Sequence, residues 1–319
     1  MAYEPNTSCS VPTRADIDLA AERIRDHVRV TPVLHPGRHF AGSKANVVLK
    51  LECLQHSGSF KPRGAFNRVL SQTQLPVSGL IAASGGNHGA AVAYVARELG
   101  LRAEIFVPEI AAPAKIARLR DYGATLRVGG RNYAEAFAAS RERQRETGAL
   151  EIHAYDAPEV IAGQGTLARE LEQQAGALDT VLVAVGGGGL MAGIAAWQPA
   201  GTRIVAVEPQ RSCALHAALQ QGKPCDVEVG GIAADSLGAQ RIGSLAFTLA
   251  QSRQVHSVLV SDDAILRAQR LLWTELRVVA EPGGATALAA LLSGAYSPQP
   301  DERLGIIVCG ANTDPGLVA

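Results

Sequence analysis

From Leu80 onward the chain alternates short apolar runs with helical periods, and this alternation limits the fold more than any other feature. Leu80–Ala83 leads into a helical stretch over 84–100, Ala103–Val107 into Pro113–Tyr122, and Thr125–Val128 into 133–146. Such alternation is the pattern of βαβ units, and βαβ units build parallel sheets. Asp179–Val185, Ile204–Val207, Val255–Val260 and Leu304–Val308 repeat the strand signal. Helices are expected over 158–171, 190–197, 212–222, Asp262–Leu276 and Thr286–Leu292. Upstream, a polar arm over 1–12 precedes an amphipathic helix from Thr13 through Val28, which Thr31-Pro32-Val33-Leu34 ends. Residues 223–243 read as a glycine-rich loop region. The expected class is α/β, with 79–152 as a small, separately wound domain inserted into a larger one made of 1–78 and 153–319.

Composition narrows the function classes. Thirty basic and thirty acidic residues cancel, so no basic face offers itself to nucleic acid. The five cysteines, Cys9, Cys53, Cys213, Cys225 and Cys309, are odd in number and form no CxxC pair or zinc spacing. They read as reduced thiols in a cytoplasmic protein. No signal peptide or membrane span is expected, since the most apolar run, Ala280–Leu292, is broken by Glu281 and Pro282. A small molecule is the expected partner.

Three stretches stand where an apolar run gives way to a helix. The first surrounds Lys61: Ser57-Gly58-Ser59-Phe60-Lys61-Pro62-Arg63-Gly64 follows Val47–Leu51 and opens an apolar period through Phe66, Val69 and Leu70, with Ser57 or Ser59 expected as the cap. A lysine at the positive end of a helix dipole is a misfit unless it must shed its proton to act as a nucleophile. The second is Ser84-Gly85-Gly86-Asn87-His88-Gly89, where Ser84 also suits a helix cap. The third is Gly186-Gly187-Gly188-Gly189-Leu190. Four glycines before a helix let successive N–H groups converge on a phosphate. The stretch is neither GxGxxG nor a Walker loop, which disfavours a NAD-dependent oxidoreductase. A fourth stretch, Cys309-Gly310-Ala311-Asn312-Thr313-Asp314, follows the last apolar run.

These four stretches, in this order, closely resemble the fold-type II pyridoxal-phosphate enzymes, in particular the threonine and serine dehydratases and their relative serine racemase. The resemblance spans nearly the whole chain. It implies a tryptophan synthase β-like fold of two open, twisted, mostly parallel sheets flanked by helices, pyridoxal 5'-phosphate as cofactor, and a homodimer. It implies that Lys61 holds the cofactor and moves the substrate's α-proton, that Gly186–Gly189 and Leu190 grip the phosphate, and that Phe60, Asn87, Glu281 and Cys309 border the ring. Ser84, Gly85, Gly86, Asn87 and His88 would take the substrate carboxylate, and Tyr155 would lie over the cofactor. Serine racemases carry a second serine where this chain has Gly85, so the reaction shifts toward elimination. A thiol at Cys309 makes the ring a weaker electron sink than an aspartate would, which favours prompt loss of a β-hydroxyl. His88 and His153 are expected to be hydrogen-bonded structural groups.

The implied activity is that of an L-threonine/L-serine ammonia-lyase acting on a small amino acid. Dehydration of another β-hydroxy amino acid, such as 3-hydroxyaspartate or phenylserine, fits the same residues; a silent cofactor-binding protein has no reason to keep them all. Relatives bind a divalent cation through a glutamate, a carbonyl four residues on and an acidic residue two further. Here Glu208 and Ser212 match, but Ala214 breaks the set, and no tight metal site is expected. With so little chain after Cys309, no C-terminal amino-acid-sensing domain is expected either.

Overall fold

The computed structural model describes residues 10–109, 111, 113–131 and 133–317. Most of the expected arm over 1–12, with Cys9, lies outside the described residues.

Ten strands are present among the described residues: β1 (Val33–Leu34), β2 (Asn46–Lys50), β3 (Leu80–Ala83), β4 (Ala103–Val107), β5 (Thr125–Val128), β6 (Leu150–Glu151), β7 (Thr180–Ala184), β8 (Arg203–Pro209), β9 (His256–Val260) and β10 (Arg303–Ile307). They form two sheets. The larger runs β1-β2-β10-β7-β8-β9 and the smaller β5-β4-β3-β6. Every pairing is parallel except β1 with β2. The central strands are buried from end to end, as a sheet covered by helices on both faces requires.

Strand order locates the place where a ligand can enter. In the larger sheet the chain winds β7-β8-β9 to one side, while β10 and β2 lie on the other. In the smaller sheet β3-β4-β5 go one way and β6 the other. The loops after β7 and after β3 therefore leave their sheets at switch points, where a crevice opens beyond the carboxyl ends of the strands. Gly186–Gly189 follow β7, and Ser84–Gly86 follow β3.

The helix Lys61–Leu70 is held from both sides. Ala65, Phe66 and Val69 pack with Leu80, Ala82, Val92 and Ile105 of the smaller sheet and its helix Asn87–Glu98. Its other side rests against the helix Pro158–Ala175 so closely that a methyl on Gly64 would fall 2.8 Å from the Val160 carbonyl. Arg63, fully buried, fixes the arrangement. Its Nε and Nη2 donate to the two Glu52 oxygens at 2.7 and 2.8 Å, and its Nη1 and Nη2 to the two Glu170 oxygens at 2.7 and 2.8 Å. Burial opposes ionisation of Glu52, but the Arg63 guanidinium, with Lys50 and Thr31, more than offsets it and holds the carboxyl below the usual range.

Several elements differ from expectation. The first helix is Arg14–Ile24, ending before Val28, and is capped by a reciprocal Thr13–Asp16 box. The helix Lys61–Leu70 takes no serine cap. Phe60 already has helical dihedrals, and the Oγ atoms of Ser57 and Ser59 are buried without a partner. The helix after β3 begins at Asn87, behind Gly86 rather than Ser84, because Ser84–Gly86 form a bend in which the Gly86 N–H turns back on Ser84 Oγ at 3.2 Å. The region 223–243 contains a one-turn helix, Ala234–Leu237. The helix Pro282–Ser293 starts four residues earlier than expected and makes Glu281 its N-cap residue.

Candidate functional site

Lys61 is partly buried, and its Nζ donates to the Ala154 carbonyl at 2.7 Å. Burial pulls the amine down to about 8, although Cys309 and Glu281 act to raise it. A lysine free of a salt bridge and depressed by desolvation is the kind of amine that attacks carbonyls near neutral pH.

Around it lies a small cavity lined by Phe60, Lys61, Asn87, Tyr155, the four glycines 186–189, Leu190, Glu281 and Cys309, with Ala184, Ser236 and Leu237. The glycines form a cradle that side chains would destroy. Gly188 sits at φ +91°, and a methyl there would come within 2.6 Å of Ala246 and Ile242. A methyl on Gly187 would enter the Tyr155 ring at 2.2 Å. The cradle opens onto the N-terminus of the helix Gly189–Trp197, so its N–H groups and dipole favour an anion.

Opposite stand Asn87, Glu281 and Cys309. Asn87 Nδ2 donates to Glu281 Oε1 at 2.6 Å, and Cys309 Sγ donates to the Gly283 carbonyl at 3.4 Å. Burial raises the Cys309 thiol, with Glu281 and Cys53 adding to it, so the sulfur keeps its proton. Gly310 is tight against this pair: a methyl there would fall 2.0 Å from Glu281 Oε1.

Ser84, Gly85, Gly86 and His88 are not among the cavity's lining residues. They lie on the turn after β3 and the first turn of the helix behind it. His88 Nε2 donates to the Ile152 carbonyl at 2.7 Å, and burial, with Lys61 nearby, takes its pKa down to about 3. His153 Nδ1 accepts from the N–H groups of Tyr155 and Asp156 at 3.2 and 2.8 Å, and burial lowers it too. Both imidazoles are neutral and occupied.

Ala184, Ser236 and Leu237 are the lining residues that sequence reasoning missed. Leu237 backs Gly186, whose methyl would lie 3.0 Å from the Leu237 Cα, and Ser236 Oγ would meet a methyl on Gly283 at 2.2 Å. The signal was the small-residue run Gly230-Gly231 to Gly238, read only as loop. At the metal position of relatives, both Glu208 oxygens accept backbone N–H groups, of Leu215 and His216, at 2.8 Å each. No group of three or more His, Cys, Asp or Glu side chains suited to a metal occurs among the described residues.

A family model described as pyridoxal-phosphate dependent enzyme matches residues 24–310. The chain belongs to this family. It is 36% identical over 301 residues to the phenylserine dehydratase of Ralstonia pickettii, covering 93% of this chain and 92% of that one. To the L-threonine ammonia-lyase of Geobacter sulfurreducens it is 38% identical over 305 residues, covering 93% and 75%. Maize serine racemase superposes with a TM-score of 0.90 at 32% identity, covering 96% and 95%.

The site fits the family's cofactor: a desolvated lysine of low basicity, an anion cradle that side chains would fill, and a cavity lined also by Tyr155, Asn87 and Cys309. The deprotonated amine is the form that attacks an aldehyde. Uptake of pyridoxal phosphate by cofactor-free protein is therefore expected to quicken with rising pH, with a midpoint near 8 rather than at the ordinary 10.5. Stopped-flow absorbance measures this, and a midpoint at the ordinary value would mean that the amine is solvated.

Proposed function

We propose that this enzyme is an L-threonine/L-serine ammonia-lyase, which removes water across Cα and Cβ and releases a 2-oxo acid and ammonia. The observation that carries the reading is the Lys61 amine in the cavity, with glycine as the residue after Ser84 on the turn behind β3. Bound pyridoxal phosphate supplies the electron sink for the pair left behind when the α-proton departs. Lys61, whose Nζ the Ala154 carbonyl orients, would take that proton at Nζ. Gly85 has no group that can return a proton from the opposite face, so elimination outruns inversion.

Space does not force that glycine. A methyl at Gly85 would make ordinary contacts of 3.6 Å with Ala111 and 3.7 Å with Val107. The missing hydroxyl is thus a chemical choice. In this reading the Ser84–His88 turn holds the substrate carboxylate, the glycine cradle and Leu190 hold the phosphate, and Phe60, Asn87, Glu281 and Cys309 position the ring. Cys309, a protonated thiol, leaves the ring nitrogen without a strong acid, and a weaker sink favours quick expulsion of the β-hydroxyl. The unsaturated amine that remains is hydrolysed to the oxo acid and ammonia. Residues 79–152 form a small domain inserted between 1–78 and 153–319, and the protein works as a cytoplasmic homodimer. No helix among the described residues is long and apolar enough to cross a membrane.

The phenylserine dehydratase relative supports a second reading, the same elimination on a bulkier β-hydroxy amino acid. One experiment separates the two. The visible spectrum of the holoenzyme is followed on adding L-threonine, L-serine, L-threo-phenylserine or 3-hydroxyaspartate, with 2-oxo acid and D-serine assayed together. Oxo acid from threonine and serine is the expected result. Turnover of phenylserine alone would install the second reading, and D-serine in excess of oxo acid would overturn both.

A further inference from the structure

Arg118 stands on the helix Pro113–Asp121, which flanks the smaller sheet, and reaches across to the loop that carries Lys61. Its Nη2 donates to the Ser57 carbonyl at 2.5 Å. The same carbonyl accepts from Asn312 Nδ2 at 2.9 Å. Asn312 Nδ2 also donates to Asn87 Oδ1, and Asn87 Nδ2 donates in turn to Glu281 Oε1 at 2.6 Å. A continuous chain of hydrogen bonds thus runs from an outlying helix to two residues of the cofactor cavity.

The link in the middle is under strain. Ser57 is not glycine, yet it holds φ +55°, a conformation that L side chains adopt only when their surroundings impose it. Its own hydroxyl does not impose it, because Ser57 Oγ is buried without a partner. What holds the residue is the pair of donors on its carbonyl. Gly58 makes room for both: a methyl there would fall 2.4 Å from Asn312 Oδ1 and 3.4 Å from Arg118 Nη2. The Gly58 carbonyl in turn accepts the Ala311 N–H at 2.9 Å, which ties the Asn312 segment to this loop.

We infer that Arg118 is a positioning residue: by fixing the Ser57 carbonyl it fixes the amide of Asn312, and through it the rotamer of Asn87 beside the cofactor ring. The inference rests on Asn87 facing the cofactor, as proposed above, and not on which amino acid is turned over. It makes the seating of the ring depend on where the helix Pro113–Asp121 lies, so a displacement of that helix is felt at Asn87 through this chain of hydrogen bonds.

The test uses holoenzyme of the wild type, Arg118→Met, Asn312→Ala and the double variant. Visible circular dichroism of the bound cofactor reports how the ring is held, and the rate of pyridoxal phosphate loss on dialysis reports how firmly; neither needs a substrate. Each single variant is expected to weaken the dichroic band and to quicken cofactor loss by about tenfold, with the double variant no worse than either, as members of one hydrogen-bond chain behave. Additive effects would overturn the inference. So would an Arg118→Met holoenzyme of wild-type dichroism and release rate, even with a lowered melting temperature, because Arg118 would then be holding structure only. If Arg118→Met gives no folded holoenzyme, Arg118→Gln is measured in its place, since it keeps a polar stem but lacks the reach; wild-type dichroism from it overturns the inference equally. Failure to turn over any amino acid would count against the proposed reaction and leave these two readouts standing.

Discussion

Replacing Lys61 by alanine is expected to lower turnover by about 10^4-fold or more, the scale on which loss of a group that both anchors a reactant and moves its proton is felt. The variant should still fold. Nζ makes one hydrogen bond, to the Ala154 carbonyl, and leaving that acceptor unpaired costs about 1–3 kcal/mol. Removal of a desolvated amine offsets part of this cost. The helix behind it does not depend on Lys61, because Arg63, Ala65, Phe66 and Val69 supply its anchorage. Oxo-acid formation, the visible cofactor band and a thermal melt decide the matter together. Turnover within about tenfold of wild type would remove Lys61 from the chemistry.

Arg63→Met is expected to cost about 3–5 kcal/mol of stability, the usual penalty for removing one partner of a buried ion pair. The guanidinium is fully buried and divides its donors between Glu52, itself fully buried, and Glu170. Methionine fills much of the volume but leaves the Glu52 carboxylate with Thr31 and the nearby Lys50 as its main support. Lys50 cannot take over, since its ammonium is already shared among the Thr31 carbonyl, Glu170 and Gln174 at 2.8 Å each. Arg63→Lys should recover little, because a single ammonium cannot span two carboxylates as a planar fork does. Urea unfolding measures the effect: the midpoint should fall with the slope unchanged. A midpoint within error of wild type would show that the network contributes nothing net. The folded fraction should also turn over more slowly, since Lys61 lies on the same helical turn.

Much of this was legible in the chain. The βα alternation gave both sheets because strands such as Leu80–Ala83 and Thr180–Ala184 are continuous apolar runs, the mark of buried parallel strands. Strand order was not legible. Nothing local tells Arg303–Ile307 to pair between β2 and β7. The glycine cradle could be read because four adjacent glycines before a helix have few other uses. The one-turn helix Ala234–Leu237 could not, since four residues are too few to display a period. Serine capping of the Lys61 helix was a fair local inference that tertiary structure overruled: Ser59 is engaged in a bridge with Gly310, and Phe60, not a serine, stands before the first helical residue. Asn312 was visible in its motif without a role, because its partners Asn87 and Ser57 are 225 and 255 positions away.

The position of β10 has a consequence for how the protein comes into being. It is the strand that joins β2 to β7, yet more than 250 positions separate it from β2 in the order of synthesis. A ribosome therefore releases β2, the Lys61 helix and the glycine loop long before the strand that brings them together exists. Until then β2 and β7 each wait with one edge unpaired, a state in which parallel strands are prone to wrong partners. The nascent chain has every residue of the cradle and still no place to seat a cofactor. Cofactor capture is thus expected only after β10 has completed the larger sheet.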